Sequence, residues 1–224
     1  MIKNISNLGD AALYCDFGKD VNKEINSNVI KLFRTLKIKK IDGINNLTPS
    51  YNKLIISFDL KKINFKNVKK IIENITIDQK EELSSNKIEI PVCCDETMSL
   101  DIVTLEKKLN LNRNKILDNF FAKEYFCYMT GFIAGMPFLG DLDDELRTKR
   151  LKTPRVKVPK GSVGITEQFT NIYTYESPGG WNIIGNSPVE IFKSNQEKEP
   201  TLINPGDTVI FKQINIDQYK KFNE

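Results

Sequence analysis

The sequence predicts an α+β protein of two domains, a small mixed domain followed by a β-barrel. Three observations predict it. Two amphipathic helical patterns, at 21–36 and 65–75, alternate with strand patterns in the first third of the chain. The polar run 78–87 then interrupts the patterning. Beyond residue 130, short β-branched runs alternate with glycine- and proline-rich turns, which is typical of a compact barrel or sandwich.

The N-terminal domain is predicted over residues 1–82, and the second domain over 88–224. Strand patterns in the first domain occur at 11–17, 41–47 and 53–58. With the two helices they give the order βαββα of a ferredoxin-like domain, and 88–92 is a candidate for its last strand. The same segment is also predicted to open the second domain.

The second domain is predicted to begin with helices near 102–109 and 113–121 and a strand at 125–132. The stretch 131–188 then holds eight of the twelve glycines and five of the nine prolines. Glycine permits positive φ and proline fixes φ, so this density indicates tight turns between strands. Closing strands are predicted at 189–192 and 208–211.

Composition excludes several classes of function. Lys and Arg total 33 against 29 Asp and Glu, a net charge of +4, and the charges are interspersed, which argues against nucleic-acid binding. The sequence has neither a signal-peptide pattern nor an apolar run of the roughly 18 residues that a membrane span needs, so a cytoplasmic location is expected. The absence of histidine excludes Ser-His-Asp and Cys-His catalysis and most zinc sites.

The four cysteines are expected to be reduced core thiols, and no metal site is predicted. Cys15, Cys93, Cys94 and Cys127 show no CxxC spacing. Cys93 and Cys94 are adjacent, so on a strand they would point to opposite faces and could not easily share a metal.

Arg155, in TPRVKVP, is the first candidate for a functional side chain. The flanking prolines favour extended backbone, which would aim the guanidinium at a carboxylate or phosphate. The alternative is an arginine on the barrel rim that pairs with Asp or Glu. As an exposed side chain, its replacement by alanine is expected to cost no more than about 1 kcal/mol of stability.

Two glycine-rich turns are further candidates. The run GSVG at 161–164 could present backbone N–H groups to an anion or an oxyanion, or could be a tight turn between strands. It lacks the lysine of a P-loop. The turn at 178–181, PGGW, carries the only tryptophan, either a core residue or the wall of a pocket, with Glu176 and Ser177 as polar neighbours.

Three fragments in order resemble the family of 5-oxoprolinase B subunits, also labelled allophanate hydrolase subunit 1. They are GFIAGMPFLGDL, TPRVKVPKGSVGI and ESPGGWNIIGNSP, and LGDAAL, LTPSYNKLIISFD and IEIPVCCD extend the likeness over most of the chain. The family includes a sporulation-kinase inhibitor of bacilli, and its module forms part of the carboxyltransferase region of urea carboxylase. The resemblance implies a cyclophilin-like β-barrel as the second domain.

The resemblance also implies an activity, the ATP-dependent opening of 5-oxoproline to glutamate. It implies a larger, carboxyltransferase-like companion of the 5-oxoprolinase C-subunit type, a small amide substrate, and ATP used by the complex rather than necessarily by this chain. The predicted catalytic residues are Arg155 and Ser162. The predicted substrate-binding residues are Gly131, Phe132, Gly135, Pro137, Phe138, Gly161, Val163, Gly164, Glu176, Ser177, Gly179, Gly180 and Trp181.

The chain departs from the family pattern at several positions. Phe120 stands where the family carries a histidine, and Asn186 where it usually has an arginine; Ala134 and Met136 replace a proline and an aromatic residue. Two alternatives to a role in 5-oxoprolinase therefore stay open. One is a subunit of the allophanate hydrolase or urea carboxylase type, and the other is a non-enzymatic regulator that inhibits a histidine kinase by binding it.

The polar run 78–87 gives the first testable prediction, because domain boundaries fall in exposed linkers that few contacts cross. Limited proteolysis followed by mass spectrometry should show the first cut within 78–87 and a stable fragment of about residues 88–224. A first cut inside 131–188 would contradict both the boundary and the compact barrel.

Overall fold

The computed structural model describes residues 2–77, 85–196 and 198–222. The chain forms two compact units, Met1–Ser84 and Ser85–Glu224. The residues of the predicted linker from 78 to 84 lie outside the described residues. Whether 1–82 and 88–224 fold as separate domains stays a prediction. No helix in the described ranges is long and apolar enough to cross a membrane.

The first unit is a four-stranded antiparallel sheet with two helices. Its elements are β1 (Asn4–Asn7), β2 (Ala12–Asp16), α1 (Lys23–Lys39), β3 (Ile44–Pro49), β4 (Lys53–Phe58) and α2 (Phe65–Asn74). The strand order is β1-β2-β4-β3, so the predicted βαββα succession is present. The edge strand beside β2 is β1, which the sequence pattern did not predict. The ferredoxin-like class of this unit stays a prediction.

Both helices of the first unit begin at an asparagine cap and bury one apolar face. The side chain of Asn22 accepts a hydrogen bond from Ile25 N at the start of α1, and Asn64 accepts one from Asn67 N at α2. These bonds satisfy N–H groups that have no partner inside the helix. Val29, Leu32 and Leu36 of α1 and Val68 and Ile72 of α2 form one core cluster with buried residues of β2 and β4, including Leu54.

The second unit is a closed seven-stranded barrel with helices and a separate two-stranded ribbon. Its elements are β5 (Lys87–Cys93), α3 (Ile102–Leu109), α4 (Arg113–Phe121), β6 (Glu124–Thr130), β7 (Pro137–Gly140), a 3-10 turn (Asp144–Leu146), β8 (Arg155–Val158), β9 (Ser162–Thr166), β10 (Phe169–Ile172), β11 (Ser177–Gly179), β12 (Asn182–Asn186), β13 (Thr208–Ile214) and α5 (Ile216–Lys221). The barrel order is β10-β7-β6-β13-β5-β12-β9, and β9 pairs with β10 to close it. This closed barrel is consistent with the expected cyclophilin-like domain. Strands β8 and β11 pair only with each other and form the ribbon.

Three strand predictions need correction. The segment 88–92 does not complete the first sheet, because β5 pairs in parallel with β13 along its whole length, from Lys87 to Cys93. The predicted closing strand at 189–192 is absent; only Phe192 forms an isolated bridge, to Thr201. The predicted strand at 125–132 ends at Thr130.

The barrel core contains an aromatic cluster centred on Phe120. Its ring centroid lies 4.9 Å from that of Phe211 and 5.3 Å from that of Tyr125. The hydroxyl of Tyr125 donates to the carbonyl of Phe120 at 2.7 Å, so the polar end of this ring is satisfied inside the core. Because Phe120 is fully buried among apolar rings, its role in this chain is packing.

We expect Phe120→His to destabilise the second unit by about 3 kcal/mol or more, because it buries a polar ring without a partner and loses aromatic packing. Phe222→His is the matched control, since Phe222 is 55% exposed, and it should change stability by less than about 0.5 kcal/mol. Urea unfolding of the two variants measures both. Equal effects would contradict the packing role.

Candidate functional site

Two of the predicted site residues, Arg155 and Gly179, meet where the ribbon lies against the barrel. Arg155 on β8 pairs with Gly179 on β11, and a Cβ added at Gly179 would collide with the hydroxyl of Tyr173 at the end of β10. Glycine is therefore required there by close approach. Tyr173 forms a small buried cluster with Met136, Val158 and Ile183, beneath this turn.

Arg155 is held by a carboxylate that the sequence patterns did not connect with it. Asp101, just before α3, is 4% exposed. Its Oδ1 accepts from Arg155 Nη2 at 2.5 Å, and its Oδ2 accepts from Ile183 N at 2.6 Å. The N–H of Asp101 also donates to Ile183 O at 3.0 Å. Asp101 thus joins the start of α3, strand β12 and the ribbon.

The second amino group of Arg155 is the unusual feature of the site. Arg155 Nη1 is buried and has no hydrogen-bond partner among the described residues, although the side chain as a whole is 28% exposed. Ser177 Oγ and Asn171 Oδ1 are likewise buried without a partner in the described chain. A buried polar group left unpaired costs free energy, so this region is suited to receive hydrogen-bonding groups from outside. The guanidinium fork suits an oxygen acceptor such as a carboxylate.

Tyr173 places a neutral hydroxyl in the middle of this region. Burial raises the pKa of Tyr173, and this outweighs the lowering by the side chain of Asn171, the backbone N–H of Trp181 and the charges of Arg150 and Arg155. The hydroxyl therefore stays protonated near neutral pH and can form hydrogen bonds.

Strand β7 contacts Trp181 through an aromatic pair. The ring of Phe138 lies edge-on to Trp181, with centroids 5.6 Å apart. Trp181 is 6% exposed, which agrees with the core alternative more than with an open pocket wall. In the loop before β7, Phe132 has φ of 71° and is 67% exposed, and Gly135, with φ of 69°, passes directly beneath the ring of Phe192.

The remaining residues implied for the site differ in exposure. Gly131 donates its N–H to Met136 O at 3.0 Å and closes the loop, and Pro137 is buried. Glu176 pairs on the surface with Lys157 at 3.0 Å rather than with Arg155.

The GSVG run does not present free N–H groups at its start. Gly161 N donates to Tyr173 O at 2.7 Å, and Ser162 N donates to Pro159 O at 3.2 Å. Val163 and Gly164 lie inside β9, which has β10 on one side and β12 on the other. This geometry is that of the second alternative, a tight turn between strands. Ser162 is 2% exposed, and its catalytic role, like substrate binding by its neighbours, stays a prediction.

Asn186 connects the turn before GSVG to the last helix. Its Nδ2 donates to Lys160 O at 2.9 Å, and its Oδ1 accepts from the hydroxyl of Tyr219 on α5 at 2.7 Å. A recess of about 320 Å³ lies beside this connection and is lined by Lys160, Gly161, Ser187, Pro188, Val189, Glu190 and Tyr219. Asn186 is therefore a buried structural link between this turn and α5.

The cysteines offer no nucleophile to the site. All four are buried and unpaired with one another. Burial raises the pKa of Cys15 and of Cys94 to about 12, so both stay thiols at neutral pH. The described residues contain no group of three or more Cys, Asp or Glu side chains that could hold a metal ion.

The sequence and the fold are similar to those of known proteins. The family model for the carboxyltransferase domain, subdomain C and D, matches residues 3–203, and the chain belongs to this family. It is 31% identical to the B subunit of 5-oxoprolinase from Bacillus subtilis (strain 168), over 98% of this chain and 96% of that protein. It is 22% identical to urea amidolyase of Saccharomyces cerevisiae, over 96% of this chain but 13% of that protein. In structure it resembles TTHA0988, with a TM-score of 0.83 and 28% identity, over 92% of this chain and 40% of that one.

The contact with Asp101 changes the expected effect of removing Arg155. Because Asp101 is buried, Arg155→Ala would leave a carboxylate without its cation, and we expect a loss of about 1–3 kcal/mol, moderated by the partial exposure of Arg155. The double variant Arg155→Ala with Asp101→Asn should lose less than the sum of the two single changes. Thermal unfolding measures all three.

Lys157→Ala is the control for this series. Its ion pair with Glu176 joins side chains that are 75% and 57% exposed, so the change should cost less than about 0.5 kcal/mol. Strict additivity of the Arg155 and Asp101 effects would show that the two side chains are not coupled.

Proposed function

We propose that this chain is the smaller subunit of an ATP-dependent enzyme that opens 5-oxoproline to glutamate. The likeness to the B subunit of 5-oxoprolinase extends over nearly the full length of both chains. The observation that carries the proposal is the buried, unpaired Nη1 of Arg155, on a guanidinium that Asp101 already holds in place. A cytoplasmic location belongs to the same proposal.

The substrate fits the hydrogen-bonding groups of the site. 5-Oxoproline combines a carboxylate with a lactam that has one N–H donor and one carbonyl acceptor. In the proposed complex, Arg155 Nη1 donates to the carboxylate, and Asn171 Oδ1 and the Tyr173 hydroxyl lie nearby for polar contacts. Holding the carboxylate would orient the lactam carbonyl for attack, and orientation of this kind contributes much of the rate of such reactions. Opening the ring adds water across the C–N bond and gives glutamate.

The acid–base chemistry is assigned to the companion protein. The chain has no histidine, and Phe120, where the family carries one, is core packing. Asp101 has both carboxylate oxygens engaged, and Tyr173 has a raised pKa. A general base needs a pKa near the working pH and access to the reacting group, and these two side chains do not combine both. Activity therefore requires a larger, carboxyltransferase-like companion of the 5-oxoprolinase C-subunit type.

ATP is assigned to a separate subunit of the complex. A phosphate group needs several free backbone N–H groups or cations, as in a glycine-rich cradle. In this chain the N–H groups of Gly161 and Ser162 already donate to Tyr173 and Pro159. The GSVG run thus does not fit a triphosphate, and no step here uses ATP.

A regulator that binds another protein is the second candidate. It is favoured by two displayed apolar side chains of the second unit, Phe132 at 67% and Val156 at 80% exposure. Exposed apolar residues can serve as anchors in protein recognition. A subunit of the urea carboxylase type is less favoured, because urea has no carboxylate to occupy Arg155 Nη1. Allophanate has a carboxylate, so the allophanate hydrolase alternative is separated from 5-oxoprolinase by assay of the two substrates rather than by this contact.

The test is co-purification with the product of the neighbouring gene, followed by an ATP-dependent assay of 5-oxoproline hydrolysis. The assembled complex should be active and the isolated chain silent. Arg155→Ala should lower kcat/KM of the complex by about 100-fold or more, and Arg155→Lys should recover part of it, because an ammonium cannot reproduce the planar fork.

Stability and activity are measured on the same preparations, with Lys157→Ala as the control. Normal turnover by the isolated chain would refute the assignment of the acid–base chemistry to the companion protein. A folded Arg155→Ala complex with full activity would remove Arg155 from the site. Binding to a kinase without any hydrolysis would favour the regulator.

A further inference from the structure

We propose that Arg150 is a second substrate-binding residue, which forms with Arg155 a two-guanidinium clamp for a carboxylate at the Gly179–Gly180 turn. The inference rests on the proposed function and deepens it, since it assigns the site a small monocarboxylate as ligand. Neither the sequence patterns nor the resemblance pointed to Arg150.

The backbone brings both arginines to the same turn. Leu151 N donates to Gly180 O at 2.7 Å, which fixes the residue next to Arg150 against the turn. A Cβ added at Gly180 would lie 3.7 Å from Arg150 Nε, so that side chain passes directly over this glycine. Arg155 pairs with Gly179 in the ribbon. Arg150 and Arg155 therefore lie beside two consecutive residues of the turn, Gly180 and Gly179.

Arg150 adds a positive charge beside the Arg155–Asp101 pair. Arg155 and Asp101 neutralise one another, so this pair alone attracts a carboxylate weakly. Arg150 is exposed and makes neither a hydrogen bond nor an ion pair with any other residue that the structure describes, and it supplies one uncompensated positive charge. The positive charges of Arg150 and Arg155 both act to lower the pKa of Tyr173, against the larger effect of burial, so both side chains lie near its hydroxyl.

The guanidinium groups of Arg155 and Arg150 would contact a ligand in different ways, one fixed and one free to move. Arg155 is held by Asp101 and presents one buried donor, Nη1, in a fixed direction. Arg150 is not held and can close over a ligand once it is bound. Charge-assisted hydrogen bonds from two guanidinium groups suit a carboxylate, which has two oxygens and about four lone-pair positions. A neutral amide such as urea would use few of these donors.

The absence of a side chain at Gly180 leaves space beside Arg150. A Cβ at Gly180 would also lie 3.6 Å from Pro154 Cγ, so a methyl group there would fill the gap between the turn and Arg150. Because these are ordinary contact distances, Gly180→Ala should fold and yet narrow the clamp.

The experiment compares Arg150→Gln and Arg150→Lys with Lys152→Gln in the assembled complex. Lys152 is exposed in the same loop, so its replacement removes the same charge without touching the turn. Arg150→Gln should raise KM for 5-oxoproline about 10-fold or more and change kcat less than about threefold, because it removes a contact made equally in ground and transition states. Lys152→Gln should change KM less than about twofold, and Arg150→Lys should lie between.

A second measurement does not depend on turnover. The isolated full chain, labelled with nitrogen-15 in arginine, is titrated with acetate, and the Nε–Hε signals are followed by NMR. Both Arg150 and Arg155 should shift along one saturation curve, and Gly180→Ala should weaken that binding. Amide spectra of each variant verify folding.

The two measurements separate the two hypotheses. If the wild-type complex does not hydrolyse 5-oxoproline, the proposed function fails, and the acetate titration still decides on the clamp. Equal rises of KM in Arg150→Gln and Lys152→Gln would overturn the clamp, because general electrostatics would explain them. A shift of Arg155 alone, or no saturable shift, would overturn it as well.

Discussion

The site depends on one buried carboxylate. Asp101 accepts from the main chain of Ile183 and from the guanidinium of Arg155, so it links the barrel wall to a ribbon that shares no ladder hydrogen bonds with the barrel. A buried charge is tolerated only when its hydrogen bonds are satisfied. Here one bond comes from a rigid strand and the other from the ribbon, so satisfying the carboxylate also fixes the ribbon. The position of Arg155, and with it the unpaired Nη1, follows from this constraint.

Much of the fold could be predicted because it follows from patterns of residues that are close in sequence. Helical periodicity located α1 and α2, and the alternation of glycine and β-branched residues predicted the barrel. The failures have physical causes. Strand β1 has the sequence NISN, too short and polar to show a strand pattern, and it is defined by its pairing with β2. Residues 189–192 have the sequence VEIF, in which β-branched residues alternate with other side chains, and this pattern is typical of a strand. In the structure Ile191 is buried, yet burial by itself does not supply a pairing partner.

The site was only partly predictable. Arg155, Gly179 and Gly180 stood out because proline and glycine mark unusual backbone, and the structure brings them together. Asp101 and Tyr173 gave no such signal, since their contacts cross 82 residues from Asp101 to Ile183 and otherwise depend on the closure of the barrel. Arg150 was one basic residue among many. The GSVG run suggested an anion site that its engaged N–H groups do not support. In sequence, a glycine-rich run with free N–H groups looks the same as one enclosed by neighbouring strands.

The absence of histidine, with an apolar ring packed at position 120, has a consequence for how the protein responds to pH. Histidine is the side chain whose ordinary pKa lies between pH 5 and 8, and this chain has none. Burial raises the pKa of the Cys15 and Cys94 thiols further above neutral pH. The side chains thus hold an almost constant net charge of about +4 across the physiological range. In an assembly with other proteins, the side chains of this chain would neither gain nor lose protons near neutral pH. A pH optimum near neutrality would therefore come from titratable groups of its partners.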